Sequence, residues 1–270
     1  MEDEQKLIQK MTPHLQRVMI LDSAMSSARM LAEHMRGISS SQSYIAVDGD
    51  TAFSLARQID PQIIFVDLGH DHADGLDLTR KIRRSYFSCR KAPVVAITAQ
   101  PTVEQILKAR DVGVHEFLRK PYNTRDLLRR LEAVTLRPRD WIEAVQYVGP
   151  DRRRFNSGDY TGRRKRQSDL VVSDQARIEQ ALRIVKSALL AMGADPAQAL
   201  RALRAQVDIL GTLGPKVGDV RLTQAAAAFR DFLINATEKG LFNPKDTLLK
   251  AGPLVALLPK DKGRAVARTG

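Results

Sequence analysis

The sequence predicts an α/β fold over residues 13–136, namely a doubly wound parallel sheet, followed by a flexible arginine-rich segment and a small all-α region. Three observations support this prediction. Short apolar runs alternate with stretches of helical periodicity, polar side chains stand at the ends of several apolar runs, and the composition changes sharply at Gly149 and Pro150. Apolar strands separated by helices are typical of parallel sheets covered on both faces.

The first region contains five strand candidates, and a helix candidate follows each of them. The strands are Arg17–Leu21, Tyr44–Val47, Ile63–Asp67, Pro93–Thr98 and Glu116–Arg119. The helices are Ser26–Arg36, Asp50–Gln58, Gly75–Arg84, Thr102–Asp111 and Thr124–Leu136. Asp50 is expected to cap the second helix, and Gly113 is expected to end the fourth.

Composition divides the remainder of the chain. Pro138 ends or kinks the fifth helix, and residues 137–172 are predicted to be a linker that carries the arginine-rich segment. The linker begins with a weak amphipathic stretch whose apolar residues are expected to share one face. These residues are Trp141, Ile142, Val145 and Val148.

Residues 173–258 show helical periodicity, which predicts three helices. Their apolar positions are Ile178, Leu182, Val185, Leu189 and Met192, then Leu200, Leu203, Val207 and Leu210, then Leu222, Ala226, Phe229 and Leu233. Residues 193–196 separate the first two helices, Gly211 and Gly214 punctuate the second, and Gly240 closes the third. Narrow apolar stripes predict a small bundle or a dimerising hairpin. Residues 259–270 resemble a basic tail.

The composition narrows the class of protein. The 270 residues include 43 basic and 31 acidic side chains, and the net charge of +12 suggests a polyanionic partner such as a nucleotide, nucleic acid or anionic lipid. Cys89 is the only cysteine, which excludes an intrachain disulfide and favours a reducing compartment. The start of the sequence lacks the apolar stretch of a signal peptide. No apolar run approaches the ~20 residues of a membrane span, so a cytoplasmic protein is expected.

Polar side chains follow three of the predicted strands. Asp67 ends the third strand, Thr98 ends the fourth, and Lys120 comes directly after the fifth. The carboxyl ends of parallel strands meet at one edge of the sheet, where open α/β proteins bind their ligands. A carboxylate there can attack phosphorus, a hydroxyl can donate to a phosphoryl oxygen, and an ammonium can neutralise charge. The three residues are therefore predicted to form a phosphoacceptor site.

These residues and their spacing resemble the CheY-like receiver domain of bacterial two-component response regulators. Asp67 is followed by Asp74-Gly75-Leu76, Thr98 comes 31 residues after Asp67, and Lys120-Pro121 comes 22 residues after Thr98. The resemblance implies that Asp67 accepts phosphate from a sensor histidine kinase or phosphotransfer protein, and that Thr98 and Lys120 stabilise the phosphoryl group. It also implies a switch formed by Thr98 and Phe117, and a cis Lys120–Pro121 bond.

The metal site implied by this resemblance departs from the family pattern at one position. Asp22, Asp67 and the Gly69 carbonyl would bind Mg²⁺, but Ser23 stands where the family usually has a second acid. A neutral hydroxyl removes one negative charge from a site for a hard cation, so weak Mg²⁺ binding is expected. A receiver that no longer accepts phosphate is the alternative.

Histidines offer a second type of site. His70 and His72 flank Asp71 in the loop after Asp67, and imidazoles there are able to bind a transition metal. Two exposed loop histidines are the simpler interpretation. All five histidines lie within the first 115 residues, so the helical region is not expected to relay phosphate through histidine.

Residues 151–166 are strongly basic, with seven of sixteen side chains being Arg or Lys. So few of them are apolar that the segment is expected to be disordered alone. Arginine forks match guanine O6 and N7 as well as phosphate. Asp151 and Asp159 suit guanine donors better than a phosphate backbone, and Phe155 and Tyr160 offer faces for base stacking.

This segment resembles the arginine-rich motif of the Cle group of CheY-like proteins, which follows a receiver and binds cyclic di-GMP. The residues implied to contact the nucleotide are Asp151, Arg152, Arg153, Arg154, Ser157, Asp159, Tyr160, Arg163, Arg164 and Arg166. In that family the receiver engages the flagellar motor switch, which implies a motor switch protein as a partner. The usual Gly-Pro appears here as Gly162-Arg163, and the C-terminal helices lie beyond the resemblance.

These patterns predict a two-component response regulator that is a cyclic di-GMP effector, controls flagellar motor or surface-attachment behaviour, and is not an enzyme. The C-terminal helices are predicted to dock a partner or form a homodimer. Two alternatives remain open. One is a phosphorylation-dependent nucleic-acid-binding regulator, and the other is a scaffold with a vestigial receiver.

Overall fold

The sheet has five parallel strands in the order β2-β1-β3-β4-β5. The computed structural model describes residues 2–69, 73–152, 173–238 and 242–259 of the chain. The strands are β1 (Arg17–Leu21), β2 (Gln42–Ala46), β3 (Ile63–Asp67), β4 (Val94–Thr98) and β5 (Glu116–Arg119). The predicted five-stranded, doubly wound sheet is confirmed, although β2 begins two residues earlier than expected.

The register brings the predicted polar positions to one edge of the sheet. Leu21 lies beside Val66, Asp67 beside Ile97, and Thr98 beside Arg119. The strand order reverses between β1 and β3, and the crevice outside such a reversal is where open α/β sheets bind ligands.

Six helices cover the two faces of this sheet. They are α1 (Glu2–Met11), α2 (Met25–Ser39), α3 (Gly49–Ile59), α4 (Ala73–Arg84), α5 (Val103–Val112) and α6 (Thr124–Thr135). Alternate strand residues point to opposite faces, so Ile20 and Phe65 pack under α1, α2 and α6, while Met19 and Val66 pack under α3, α4 and α5. Helix α1 was not predicted. Its Leu7, Ile8 and Met11 side chains join the first of these two cores.

Two helix ends test the expected capping residues. Asp48 caps α3 because its carboxylate accepts from the Thr51 backbone N–H at 2.8 Å, so the predicted Asp50 cap is wrong. Asp50 lies in the first turn instead. Gly113 ends α5 as predicted, with a φ of 98° that favours glycine.

The stretch after α6 forms two short paired strands, β6 (Trp141–Glu143) and β7 (Val148–Pro150). The sequence predicted that the apolar residues of this stretch share one face, and this prediction is wrong. Val145 packs against the core of the C-terminal helices, whereas Tyr147 and Val148 are buried beside Gly113 and Gly149. Strand pairing replaces the predicted amphipathic pattern because three-residue strands satisfy their backbone groups across the pair.

The described C-terminal region contains four helices, where three were predicted. They are α7 (Asp174–Ala191), α8 (Pro196–Lys216), α9 (Val220–Glu238) and α10 (Pro244–Val255). Helix α8 continues through Gly211 and Gly214, so neither glycine interrupts it. The expected closing residue of the third helix, Gly240, lies outside the described residues.

Helices α8 and α9 come together closely at Gly214. A Cβ atom at this position would lie 2.6 Å from Thr223 Oγ1 and 3.1 Å from the Thr223 backbone nitrogen. The glycine therefore serves helix packing rather than helix termination.

The chain forms two compact units. One contains the described residues of Met1–Ile142 and Tyr147–Gly162, and the other those of Glu143–Gln146 and Arg163–Gly270. The sequence analysis placed boundaries at residues 136, 172 and 258 and assigned residues 137–172 to a linker. Within that stretch, Glu143–Gln146 belongs to the unit of the C-terminal helices. Residues 260–270 of the proposed basic tail lie outside the described residues. In the described parts of the chain, no helix has both the length and the apolarity to cross a bilayer.

Candidate functional site

Asp67 lies at the end of β3 beside Lys120, the residue that follows β5. The Lys120 Nζ atom lies 2.6 Å from Asp67 Oδ1 and 3.1 Å from Asp22 Oδ2. One ammonium therefore contacts two carboxylates that come from the ends of β1 and β3. Burial lowers the pKa of Lys120, but its hydrogen bonds to Asp67 and Asp22 outweigh burial and raise the pKa above its ordinary value. Lys120 is therefore cationic at neutral pH.

Asp22 is held by its own backbone neighbours. Its Oδ1 atom accepts from the Ala24 N–H at 2.9 Å, and its side chain is only 6% exposed. The Lys120 backbone N–H donates to the Thr98 carbonyl at 2.8 Å, and the Leu68 N–H donates to the Ile97 carbonyl at 2.7 Å. The chain just beyond β3 and β5 is thereby tied to β4, which keeps the three polar residues at one edge.

Thr98 is buried, and its hydroxyl oxygen accepts from the Gln100 N–H at 3.2 Å. A cavity of about 140 Å³ opens beside it and is lined by Asp67, Leu68, Gly69, Thr98, Ala99, Gln100, Gln105 and Lys120. A carboxylate, a hydroxyl and an ammonium thus share one small cavity. The sequence prediction did not include Gln105 in this site. Its sequence position indicates only a capping box with Thr102 at the start of α5, which is a structural role.

Two glycines shape the approach to Asp67. A Cβ at Gly75 would lie 3.0 Å from the Asp67 carbonyl oxygen and 3.0 Å from Leu68 Cδ2. A Cβ at Gly69 would lie 3.3 Å from Asp67 Oδ2. Glycine at both positions keeps helix α4 close to β3 and leaves the second carboxylate oxygen of Asp67 uncrowded by a side chain.

The comparison with protein families gives one match at this site. The model of the response regulator receiver domain matches residues 18–132, which include the whole sheet from Val18 onward and the residues around Asp67. Residues 18–132 are a response regulator receiver domain. The bond between Lys120 and Pro121 is cis, as the resemblance implied.

Curated relatives share the receiver domain and extend beyond it. The transcriptional regulatory protein BaeR of Escherichia coli O6:H1 is 31% identical over 132 residues, which are 48% of this chain and 52% of that protein. This chain therefore spans about half the length of that relative.

Solved structures match at lower identity. Vibrio cholerae chemotaxis protein CheY4 is 22% identical, with a TM-score of 0.41, over 44% of this chain and 98% of its own. A response regulator from Thermotoga maritima is 21% identical, with a TM-score of 0.40, over 45% and 98% of the two chains. The assignment of the receiver domain comes from the family model and not from these overlaps.

The donor set of the receiver site suits a hard cation such as Mg²⁺. The carboxylates of Asp22 and Asp67 approach each other closely enough to share Lys120, and the Gly69 backbone lies next to Asp67. All of these ligands are oxygens, which is what Mg²⁺ prefers. Ser23 is exposed and neutral, so the site has one negative charge fewer than the family pattern.

Two further sequence predictions near this site stay predictions. Phe117 is buried in the core under α3, α4 and α5, and the proposed switch of Thr98 and Phe117 stays a prediction. His70 and His72 lie outside the described residues, so the metal interpretation stays a prediction as well.

Two residues of the arginine-rich segment belong to the described chain. Asp151 donates its backbone N–H to the Asp140 carbonyl at 2.8 Å, which continues the pairing of β6 and β7. The Arg152 guanidinium lies over the Tyr147 ring and contacts Asp111. The other predicted nucleotide contacts, Arg153, Arg154, Ser157, Asp159, Tyr160, Arg163, Arg164 and Arg166, lie outside the described residues.

A larger cavity, of about 490 Å³, lies at the opposite end of the strands and contains none of the predicted site residues. His115 lines it, together with residues such as Arg17, Lys91 and Trp141. Size therefore does not identify the receiver site, because the smaller cavity is the one that contains the carboxylate, the hydroxyl and the ammonium.

Proposed function

We propose that this chain is a response regulator that accepts a phosphoryl group on Asp67 and binds cyclic di-GMP through its arginine-rich segment. It acts as a signalling protein and not as an enzyme in its own right. The observation that carries the first part is the position of Lys120 Nζ, 2.6 Å from Asp67 Oδ1, at a cavity that Thr98 also lines.

In the phosphorylation step, an Asp67 oxygen attacks phosphorus and forms the new O–P bond. The bond to the donor's leaving group breaks, and the leaving group takes the electron pair. Lys120 neutralises negative charge at the phosphoryl group, and the Thr98 hydroxyl donates to one of its oxygens. Asp22, Asp67 and the Gly69 carbonyl would hold Mg²⁺, which supplies further charge neutralisation when bound. The phosphodonor is a histidine kinase or a phosphotransfer protein.

Intact-protein mass spectrometry tests this step with acetyl phosphate or phosphoramidate as the donor. We expect the wild-type chain to gain the mass of one acid-labile phosphoryl group, and Asp67→Asn to gain none. Asp77→Asn removes an exposed carboxylate of the neighbouring helix α4 and should label as the wild type does. A chain that is never labelled at Asp67, even with a large excess of Mg²⁺, would be a scaffold with a vestigial receiver.

Support for the nucleotide function comes from charge and chemistry. The chain has a net charge of +12, and its segment from Asp151 to Arg166 combines arginine forks, carboxylates and aromatic rings that match guanine edges and faces. A nucleic-acid backbone would also attract these arginines, but Asp151 and Asp159 would repel it.

Calorimetry with cyclic di-GMP and with its linear dinucleotide decides the nucleotide function. Excision of residues 153–168 removes no residue of β7 and neither partner of the Tyr147–Pro150 hydrogen bond, and it should abolish binding. Equal affinity for the cyclic and linear forms, with a steep loss as salt rises, would favour the nucleic-acid-binding alternative. A motor switch protein as partner and a homodimer through α7–α10 remain part of the proposal, for which pull-down and sedimentation are the tests.

A further inference from the structure

A cluster of three side chains lies beside the last turn of α5, outside the receiver site. The Arg152 guanidinium carbon lies 4.3 Å from the centre of the Tyr147 ring, and Arg152 Nη1 lies 2.9 Å from Asp111 Oδ1. The side chains of Arg152 and Asp111 are 46% and 48% exposed. A ligand that approaches from solvent can therefore reach the guanidinium.

Tyr147 has a fixed position in this cluster. It is buried, and its hydroxyl donates to the Pro150 carbonyl oxygen at 2.5 Å. A Cβ at Gly149 would lie 2.7 Å from the Tyr147 hydroxyl oxygen and 2.8 Å from Gly113 Cα, so the backbone packs tightly around the ring. Burial also raises the pKa of Tyr147 to about 12, which keeps the phenol neutral. The ring thus gives the Arg152 guanidinium a fixed surface to lie over.

Asp111 has a second cationic partner. Its Oδ1 atom also accepts from Arg110 Nε at 3.1 Å and lies 3.0 Å from Arg110 Nη2. Departure of Arg152 would therefore not leave the carboxylate without a cation. A carboxylate and the O6 and N7 atoms of guanine both accept hydrogen bonds from one guanidinium fork. The two groups therefore compete for the Arg152 Nη1 donor that contacts Asp111.

We propose that Tyr147 and Asp111 regulate the cyclic di-GMP site from outside the arginine-rich segment. Tyr147 is a positioning residue that lies under the Arg152 guanidinium, and Asp111 occupies the Arg152 Nη1 donor until a guanine edge replaces the carboxylate. The proposal rests on the proposed nucleotide function, because Arg152 is the first arginine of that segment.

Calorimetric titration of the full-length chain with cyclic di-GMP tests the role of Asp111 as the group that guanine replaces, which we call the placeholder. An exposed ion pair contributes little, so Asp111→Asn should tighten binding about two- to fivefold. The gain should shrink as salt screens the pair. The matched control is Glu104→Gln, which removes an exposed carboxylate that pairs with Lys108 in the same helix and should leave the affinity unchanged.

Three further variants test the positioning by Tyr147. Tyr147→Leu removes the ring and should weaken binding about two- to fivefold, whereas Tyr147→Phe keeps the ring and should restore most of that loss. Arg152→Lys keeps the charge but loses the flat fork, and should weaken binding as well. Circular dichroism confirms that each variant is folded.

The outcomes separate this inference from the function on which it rests. If the wild type binds cyclic di-GMP but Asp111→Asn binds equally or more weakly, the placeholder is wrong while the nucleotide function stands. A similar gain with cyclic di-AMP would mean that Arg152 receives a phosphate and not guanine, which also overturns the proposal. If neither the wild type nor Asp111→Asn binds cyclic di-GMP, both proposals fail together.

Discussion

Some side chains combine charge with deep burial in the compact unit that contains the receiver domain, which we call the receiver unit. The Arg83 guanidinium is 1% exposed and donates to the carbonyl oxygens of Gly113, Arg90 and Ala92. Burial lowers its pKa to about 9. Arg83 Nη2 also lies 3.2 Å from His115 Nδ1, so a guanidinium and an imidazole are in contact in one buried site.

His115 is expected to make the stability of the receiver unit depend on pH. Burial, together with the charges of Arg83 and Arg139, holds its pKa well below its ordinary value of 6.5. The unfolded chain binds a proton near pH 6.5 and the folded chain does not. The contribution of His115 is therefore complete above about pH 6.5 and is lost as the pH falls, by up to about 1.4 kcal/mol per pH unit.

Urea unfolding, followed by fluorescence of the single Trp141, checks this expectation at about pH 7.5 and about pH 5.5. His115→Gln keeps an acceptor for Arg83 but cannot titrate, so its free energy of unfolding should fall less over this range. An equal fall in both proteins would assign the pH dependence to other groups.

Cys89 is expected to be chemically inert in the folded protein. Burial raises the pKa of its thiol to about 11, and Sγ lies 3.5 Å from the Ala56 carbonyl oxygen. Because the thiolate is the reactive form, a thiol reagent at neutral pH should label the wild type only after unfolding. The exposed neighbour Ser88 supplies the control, since Ser88→Cys should label rapidly without denaturant. Rapid labelling of native Cys89 would show that α3 and the segment at Cys89 separate readily.

At the scale of elements, the two glycines of α8 are expected to respond oppositely to the same substitution. A Cβ at Gly214 would lie 2.6 Å from Thr223 Oγ1 of α9, whereas a Cβ at Gly211 would have only Arg230 Nη1, the end of a long side chain, nearby at 4.0 Å. Gly214→Ala should lower the free energy of unfolding by about 1–3 kcal/mol, because α8 and α9 must move apart. Gly211→Ala should raise it by up to about 1 kcal/mol, because alanine favours the helix.

Chemical unfolding followed by far-ultraviolet circular dichroism distinguishes the two variants. If Gly214→Ala is as stable as Gly211→Ala, then α8 and α9 do not pack as closely as the structure describes. The two substitutions add the same methyl group to the same helix, so intrinsic helix propensity cancels in the comparison.

At the scale of the whole molecule, Glu143–Gln146 of the connecting chain belongs to the compact unit of the C-terminal helices, which we call the helical unit. Gln198 Nε2 donates to Glu143 Oε1 at 3.0 Å and to the Ala144 carbonyl at 3.1 Å, and Gln206 Nε2 donates to the Glu143 carbonyl at 3.0 Å. Both glutamines are buried in α8. Residues that looked like linker in the sequence therefore complete the packing of the C-terminal helices.

Gln206→Leu is expected to destabilise the helical unit by about 1–3 kcal/mol, because the hydrogen bond from Gln206 Nε2 to the Glu143 carbonyl is lost from a buried position. Hydrogen exchange measured by mass spectrometry should show lower protection in α8 and unchanged protection in β3. Thr212→Val is the control, since it removes only an exposed hydrogen bond of the same helix. Equal protection in Gln206→Leu and Thr212→Val would mean that Glu143–Gln146 does not stabilise the bundle.

The sequence by itself determined the sheet, the helices between its strands and the three polar residues at strand ends. These features depend on the alternation of apolar runs and on the position of Asp67, Thr98 and Lys120, which short-range periodicity makes visible. It did not predict α1 or α10, because short amphipathic helices become recognisable only when a core is present to cover them.

Only the tertiary structure decided which distant residues meet. Lys120 contacts Asp22 across 98 positions of the chain, and Arg152 contacts Asp111 across 41. Such contacts follow from strand order, register and the close packing of backbones at Gly113 and Gly149, none of which leaves a periodic signal in the sequence. Local patterns predict elements because neighbouring residues share one backbone geometry, whereas contacts between elements depend on how their surfaces fit.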